Sequence, residues 1–432
     1  MKFASTTALA TALALGAVAA MGVTPAVAKK ADAAAAPKAN YSDGFRKTAP
    51  ALQEAITKKD YAAAKAALPA AQAAATTDDD KYAVATMQLQ IAQGTNDSAG
   101  VSAAADAMLA TGKAPAPLQI ELYTVQAQNA FNNGKLDAAD RAFTQVNTLK
   151  PNDPEVLISL AAVKSRENQS PAALQYVDQA IQAKKATGQP VDEDWYRRAL
   201  SIAYDGKQPA GVIKYGQQLV DAYPRADIWR IALQTYRDTT TLDPQVDLDA
   251  LRLMRATKSL AGERDYYEYA NTALNKGFPG EAKAVIDQGM SSNMVDNKAL
   301  ATSKALAEIK AVAGPKIAAD KADLPVSEKK ARAAADGKQA LLIGDAYMGY
   351  GQYAQAVELY KIALQKGGVD ANLVNLHMGE SLAQSGQGPA AATALATVTG
   401  PNQVLAQYWA IFATKGSAPA AAPAAPAAPA AQ

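Results

Sequence analysis

The chain has 432 residues, with 43 lysines and arginines against 41 aspartates and glutamates and a formal net charge of +2. That balance argues against a dedicated nucleic-acid binder, which needs a basic stripe to release counterions from phosphates. Cysteine is absent, which excludes disulfides, thiolate metal sites and the acylated cysteine of a bacterial lipid anchor.

The N-terminus carries Lys2, an apolar run from Ala8 to Ala20, and Ala26-Val27-Ala28 ahead of Lys29-Lys30. This order predicts a secretory signal over residues 1–28, cleaved after Ala28, because the apolar run falls short of the roughly 20 residues that span a bilayer. Export follows as the expectation, to a bacterial periplasm first and to the exterior as the other destination. No later segment reads as transmembrane. Residues 29–40 read as a flexible, alanine-rich lead-in.

From Tyr41 the helical punctuation begins. Ala51, Leu52, Ala55 and Ile56 share one helical face, Lys58-Lys59-Asp60 turns the chain, and Tyr61, Ala64 and Leu68 start a second helix. Asp78-Asp79-Asp80 predicts a helix N-terminal cap, weighed against a cation site. Between Ile120 and Ala186 two copies of one pattern stand in register: Ala139 and Ala173, Phe143 and Val177, and Val146 and Ala180 are each 34 apart. Within the first copy Asn133-Gly134 ends a helix, Ala139 lets the next helix approach closely, and Pro151 stops it. Trp195 and Trp229 continue the period.

Residues 41–309 thus read as one array. Gly314-Pro315 and Leu324-Pro325 predict helix breaks, so 310–336 is expected to be an irregular helical connection. The array resumes over 337–414, where Gly344 and Gly379, Gly351 and Gly386, Ala356 and Ala391, and Tyr360 and Leu395 are 35 apart. A last helix from Val404 to Phe412 is expected to cap the stack. Residues 415–432 form a Pro-Ala tail, expected to be extended and disordered.

A fixed period of this length marks stacked helix pairs, none of which buries its apolar face alone. Ile343, Gly344, Tyr347, Gly351, Tyr353, Ala356, Tyr360 and Ala363, and again Ala127, Gly134, Ala139, Phe143, Val146 and Pro151, resemble the tetratricopeptide repeat family. The resemblance implies an all-α solenoid of antiparallel helix pairs in a right-handed superhelix. It also implies that the first helix of each repeat forms an inner, concave wall that holds a protein or peptide. On the middle copies that wall maps to Tyr196, Arg197, Tyr204, Arg230, Gln234, Arg237, Tyr267 and Asn271. Tyrosine and arginine are enriched at binding hot spots. The competing reading is half-buried packing with a wet hydroxyl, since tyrosines outnumber phenylalanines 18 to 6 across the chain.

Little catalytic chemistry accompanies this pattern. His377 is the sole histidine, no G-x-S-x-G elbow exists, and His377 with Glu380 falls short of a zinc ligand set. Glu380-Ser381 matches the pair that lytic transglycosylases use, yet no catalytic domain follows it. Neither a metal nor a cofactor is expected. The expected function is a non-catalytic exported scaffold for a protein or peptide of the bacterial cell envelope. Two alternatives stand beside it: a hydrolase or accessory acting on peptidoglycan or polysaccharide, and a self-associating structural protein. The sequence leaves the partner and the oligomeric state open.

Overall fold

The computed structural model describes residues 39–295 and 301–416. The expected signal, nearly all of the lead-in and nearly all of the Pro-Ala tail lie outside them. Among the described residues there are 20 α-helices, one short 3-10 turn and no strand. They divide into two compact units, residues up to Val191 and residues from Asp192.

The first unit contains α1 (Asp43–Thr57), α2 (Tyr61–Ala74), α3 (Asp78–Gly94), α4 (Ser98–Ala110), α5 (Ala116–Asn132), α6 (Leu136–Leu149), α7 (Pro154–Arg166) and α8 (Ser170–Ala186). Side-chain caps start several of them. Ser42, Asp60, Thr77, Asp97 and Asp153 each accept a backbone N–H from the first turn, which satisfies donors a helix start otherwise leaves open. Asp78-Asp79-Asp80 opens α3 behind Thr77, and Thr77 with Asp80 completes a reciprocal capping box. Each pair is joined by a three-residue turn whose middle residue is left-handed: Lys59, Asn96, Gly134 and Asn168. Turns this short force the partners to run antiparallel. The packing is tight within α1/α2, α3/α4, α5/α6 and α7/α8, and successive pairs touch only their neighbours.

The second unit contains α9 (Glu193–Asp205), α10 (Pro209–Ala222), α11 (Ala226–Thr239), α12 (Pro244–Ala256), α13 (Gly262–Asn275), α14 (Pro279–Ser291), α15 (Ala301–Ala333), α16 (Lys338–Gly349), α17 (Tyr353–Lys366), α18 (Ala371–Gln384), α19 (Gly388–Leu395) and α20 (Gln403–Lys415). Pairs α9/α10, α13/α14, α16/α17 and α18/α19 close as in the first unit, while α11 and α12 meet only loosely. The reason is α20, which packs on α18 and also returns to α10, α11 and α12. Its Tyr408 ring stands 6.3 Å from Trp229 and 5.9 Å from Tyr236. A Cβ on Gly216 would come within 2.3 Å of the Tyr408 hydroxyl, so the missing side chain there admits the ring. The last helix is therefore an internal strut rather than an end cap, because Tyr408 and Trp409 are both fully buried.

The expected breaks near residues 314 and 325 do not occur. α15 runs for 33 residues with Pro315 and Pro325 inside it. Both prolines lie on its exposed side, where the carbonyls left without a partner face water and the lost hydrogen bond costs less than it would in a core.

Candidate functional site

Successive repeats of the second unit bring α9, α11 and α13 side by side, and these carry the eight residues mapped to the wall. Arg197 on α9 donates to Glu193 at 2.7 Å and to Asp227 of α11 at 3.3 Å. Arg230 on α11 reaches Asp265 of α13 and donates to the Ser259 carbonyl at 3.1 Å. Arg237 donates to Asp247 at 2.7 Å and to Glu268 of α13 at 3.2 Å. The arginines thus staple each first helix to the next across a ladder of acids. Arg225 strengthens the ladder by gripping both Glu193 and Asp227, and its hydrogen bonds to those acids push its pKa above the usual arginine range.

The remaining positions divide by exposure. Tyr204 is exposed, at 47%, while Gln234, Tyr267 and Asn271 are half-buried. Gln234 donates to Asp238 at 2.9 Å. Tyr196 is buried, edge-on to Tyr223 at 6.5 Å. Arg197, Arg230 and Gln234 thus present partly exposed polar groups, with Tyr204 exposed beside them, whereas Arg237 is nearly covered and Tyr196 is packed inside.

A second constellation was not assembled by sequence reasoning. His377 on α18 is wholly buried, its Nδ1 2.7 Å from Asp345 of α16 and its Nε2 3.3 Å from Asp249 of α12. Burial alone would lower its pKa, but the two carboxylates outweigh that and hold it well above the ordinary range, so both ring nitrogens donate. Asp249 also accepts from Arg252 at 2.7 Å, and Arg252 forks onto Glu281 of α14 with two bonds of 2.8 Å. The Tyr269 hydroxyl donates to Glu281 at 2.7 Å. Burial raises the Asp249 and Glu281 carboxyls, yet the His377 charge on the former and the Arg252 charge on the latter bring both below their ordinary values.

Glu380 stands next to this network with neither oxygen hydrogen-bonded, and the Ser381 hydroxyl beside it is likewise unpartnered. Burial, then the nearby Asp249, pushes the Glu380 carboxyl well above its ordinary value, so it is held neutral. At 0% exposure the Glu380-Ser381 pair is closed to any polysaccharide in this structure. The available signal was a polar residue on an apolar stripe: Asp249 and Arg252 flank Leu248 and Leu251 on α12, and Glu380 follows the small repeat residue Gly379. Among the described residues no cluster has the makings of a metal site, and no helix is long and apolar enough to cross a membrane.

No family model matches the chain, and no curated protein matches it. Among solved structures, a tetratricopeptide repeat protein from Parabacteroides merdae aligns over 79% of this chain and 100% of its own, with 10% identity and a TM-score of 0.30. The APC/C hetero-tetramer Cut9-Hcn1 aligns over 84% and 87%, with 11% identity and a TM-score of 0.19. Likeness at that level carries no argument. The fold assignment, an all-α stack of TPR-like helix pairs, rests on the helices themselves.

Proposed function

We propose that the chain is an exported, non-catalytic helical-repeat scaffold that holds a protein or peptide segment of the bacterial cell envelope on the first-helix wall of its second unit. One observation carries the reading. α18 and α20 are seated against α10, α12 and the Trp229 face of α11, whereas the side chains of Arg197, Tyr204 and Arg230 stay between one third and one half exposed on the first helices. The ion-pair ladder holds that face in one geometry, so a partner would meet a surface already ordered. Export rests on the order of charge, apolar run and small residues over 1–28.

Photo-crosslinkers placed at positions 204 and 267 of the full chain, with position 58 on the first unit as control, test this reading in cells. The expected result is a discrete adduct at 204 and 267 in the periplasmic fraction, absent at 58 and lost on Arg197→Glu. Equal adducts at all three positions would remove the wall assignment, and an uncleaved cytoplasmic chain would remove export.

A further inference from the structure

A cleft of about 530 Å3 opens in the second unit among α12, α14, α15 and the turn between α16 and α17. It is separate from the first-helix wall, and its size is that of a small-ligand site. Its charges are four cations, Arg252, Arg255, Lys283 and Lys321, against two carboxylates, Glu281 and Asp287. The carboxylates are already engaged: Arg252 forks onto Glu281, and Lys283 and Lys310 both hold Asp287.

Two cations of the lining make no direct ion pair. Half-buried Arg255 donates its Nε to the neutral Gln288 side chain at 2.8 Å and meets the Tyr269 hydroxyl; the charge of Glu281 acts on it from nearby, but among the described residues no carboxylate forms a direct ion pair with it. Lys321 holds its Nζ 5.1 Å over the Tyr350 ring and likewise lacks a carboxylate. A guanidinium that makes no direct ion pair keeps nitrogens free to take up an anion that enters beside it. Its planar fork matches the two oxygens of a carboxylate, which a lysine does not. The neighbouring walls are aromatic. Tyr350 lies where a Cβ on Gly280 would come within 2.0 Å of its ring, so the bare glycine seats it, and Tyr353 stands beside it on the lining.

We infer that this cleft binds a small carboxylate with a flat apolar body, the carboxylate forked on Arg255 and the body against Tyr350 and Tyr353. No bond is made or broken there; the cleft is a binding site.

Calorimetric titration of the full chain with N-acetylphenylalanine, its uncharged amide and phenyl phosphate tests the inference. The acid is expected to bind at least about tenfold tighter than the amide, the worth of one charge-assisted fork, and to raise the melting temperature followed by tryptophan fluorescence. Arg255→Gln should abolish that preference. Arg255→Lys, which keeps the charge and loses the fork, should bind the acid more weakly and serves if the glutamine variant misfolds. Tyr353→Leu should weaken acid and amide alike. Equal binding of acid and amide, or a preference that survives Arg255→Gln, overturns the site. Tighter binding of phenyl phosphate overturns the carboxylate assignment.

Discussion

The two units stabilise the same kind of helix pair in different ways. In the first, alanines such as Ala64, Ala85, Ala105, Ala139 and Ala173 dominate the interior, and the one buried charge among the described residues is the cap residue Asp80. Every strong contact there joins helices of the same pair or of adjacent pairs. The second unit buries Trp229, Tyr236, Tyr269, Tyr360, Tyr408 and Trp409 together with Asp249, Arg252, Glu281, His377 and Glu380. Its ties span the sequence: His377 to Asp249 across 128 positions, Trp229 to Gly416 across 187, and Gln217 to Gln407 across 190. A stack held only by neighbours loses stability one interface at a time. A unit shut by distant contacts cannot lose one end without losing the other, so it should unfold cooperatively.

The strongest way to break this contrast is Trp229→Ala. The ring is fully buried, packs on Tyr408 and Phe412 at 6.3 Å, and donates its N–H to the Gly416 carbonyl at 3.3 Å. Its removal should cost about 3–5 kcal/mol. All three tryptophans, Trp195, Trp229 and Trp409, lie in the second unit, so the two that remain report its denaturation alone. Their midpoint should fall sharply while amide exchange in α1–α4 is unmoved. A matching acceleration in α1–α4 would show that the two units do not behave separately.

Acidity sharpens the contrast at intermediate size. His377 and Glu380 both bind a proton more tightly in the folded chain than their ordinary values of 6.5 and 4.5. A raised value means a contribution fully present below the unfolded pKa and lost as pH climbs through the folded one. Stability of the second unit should therefore decline from about pH 4.5 upward through Glu380, and again above about 6.5 through His377, each proton adding a slope of at most about 1.4 kcal/mol per pH unit. Asp249 and Glu281, held low, act in the opposite direction, and their contribution fades only as pH falls below the ordinary carboxylate range. Glu380→Gln keeps the neutral shape and removes one of the two alkaline protons. The tryptophan-detected loss of stability between pH 5 and 8 should become shallower, with little change at the acid end. An unchanged slope would mean that Glu380 is ionised in the fold.

What could be read in advance follows the same division. The 35-residue pairs were legible because they report local contact: a Cβ on Gly344 would meet the Tyr360 ring at 2.7 Å, and one on Gly379 would meet Leu395 at 2.4 Å. Caps and turns were legible for the same reason. The return of α20 was not, since a Tyr-Trp helix reads equally as an end cap or an internal strut until Gly216 is placed beneath it. The buried network was not either, because Asp249, Glu281, Asp345 and His377 come from four helices and no spacing rule links them. The prolines of α15 misled because their effect depends on which side faces water, and that side is set by packing against α13, α14 and α16. For the wall, sequence supplied the helices, but not the acids from the next repeat that pair its arginines.

The smallest expected effect tests the first unit on its own terms. Thr77 accepts from the Asp80 N–H at 3.1 Å and donates to the Asn40 carbonyl at 2.9 Å. The Asp80 carboxylate in turn accepts from the N–H groups of Ser42, Thr76 and Thr77 at 3.0, 3.1 and 3.0 Å. Burial raises the Asp80 carboxyl, but these donors hold it below its ordinary value, so the start of α1 and the start of α3 are knotted at one point. Thr77→Ala should cost about 1 kcal/mol, the usual worth of an N-cap. With only neighbour contacts to carry it, the loss should speed amide exchange in α1–α3, fade before α7 and leave the tryptophan midpoint where it was. If α7 and α8 lost protection by the same factor, the first unit would have to be a single cooperative block despite its short-range contacts, and long-range closure would no longer explain cooperativity in the second.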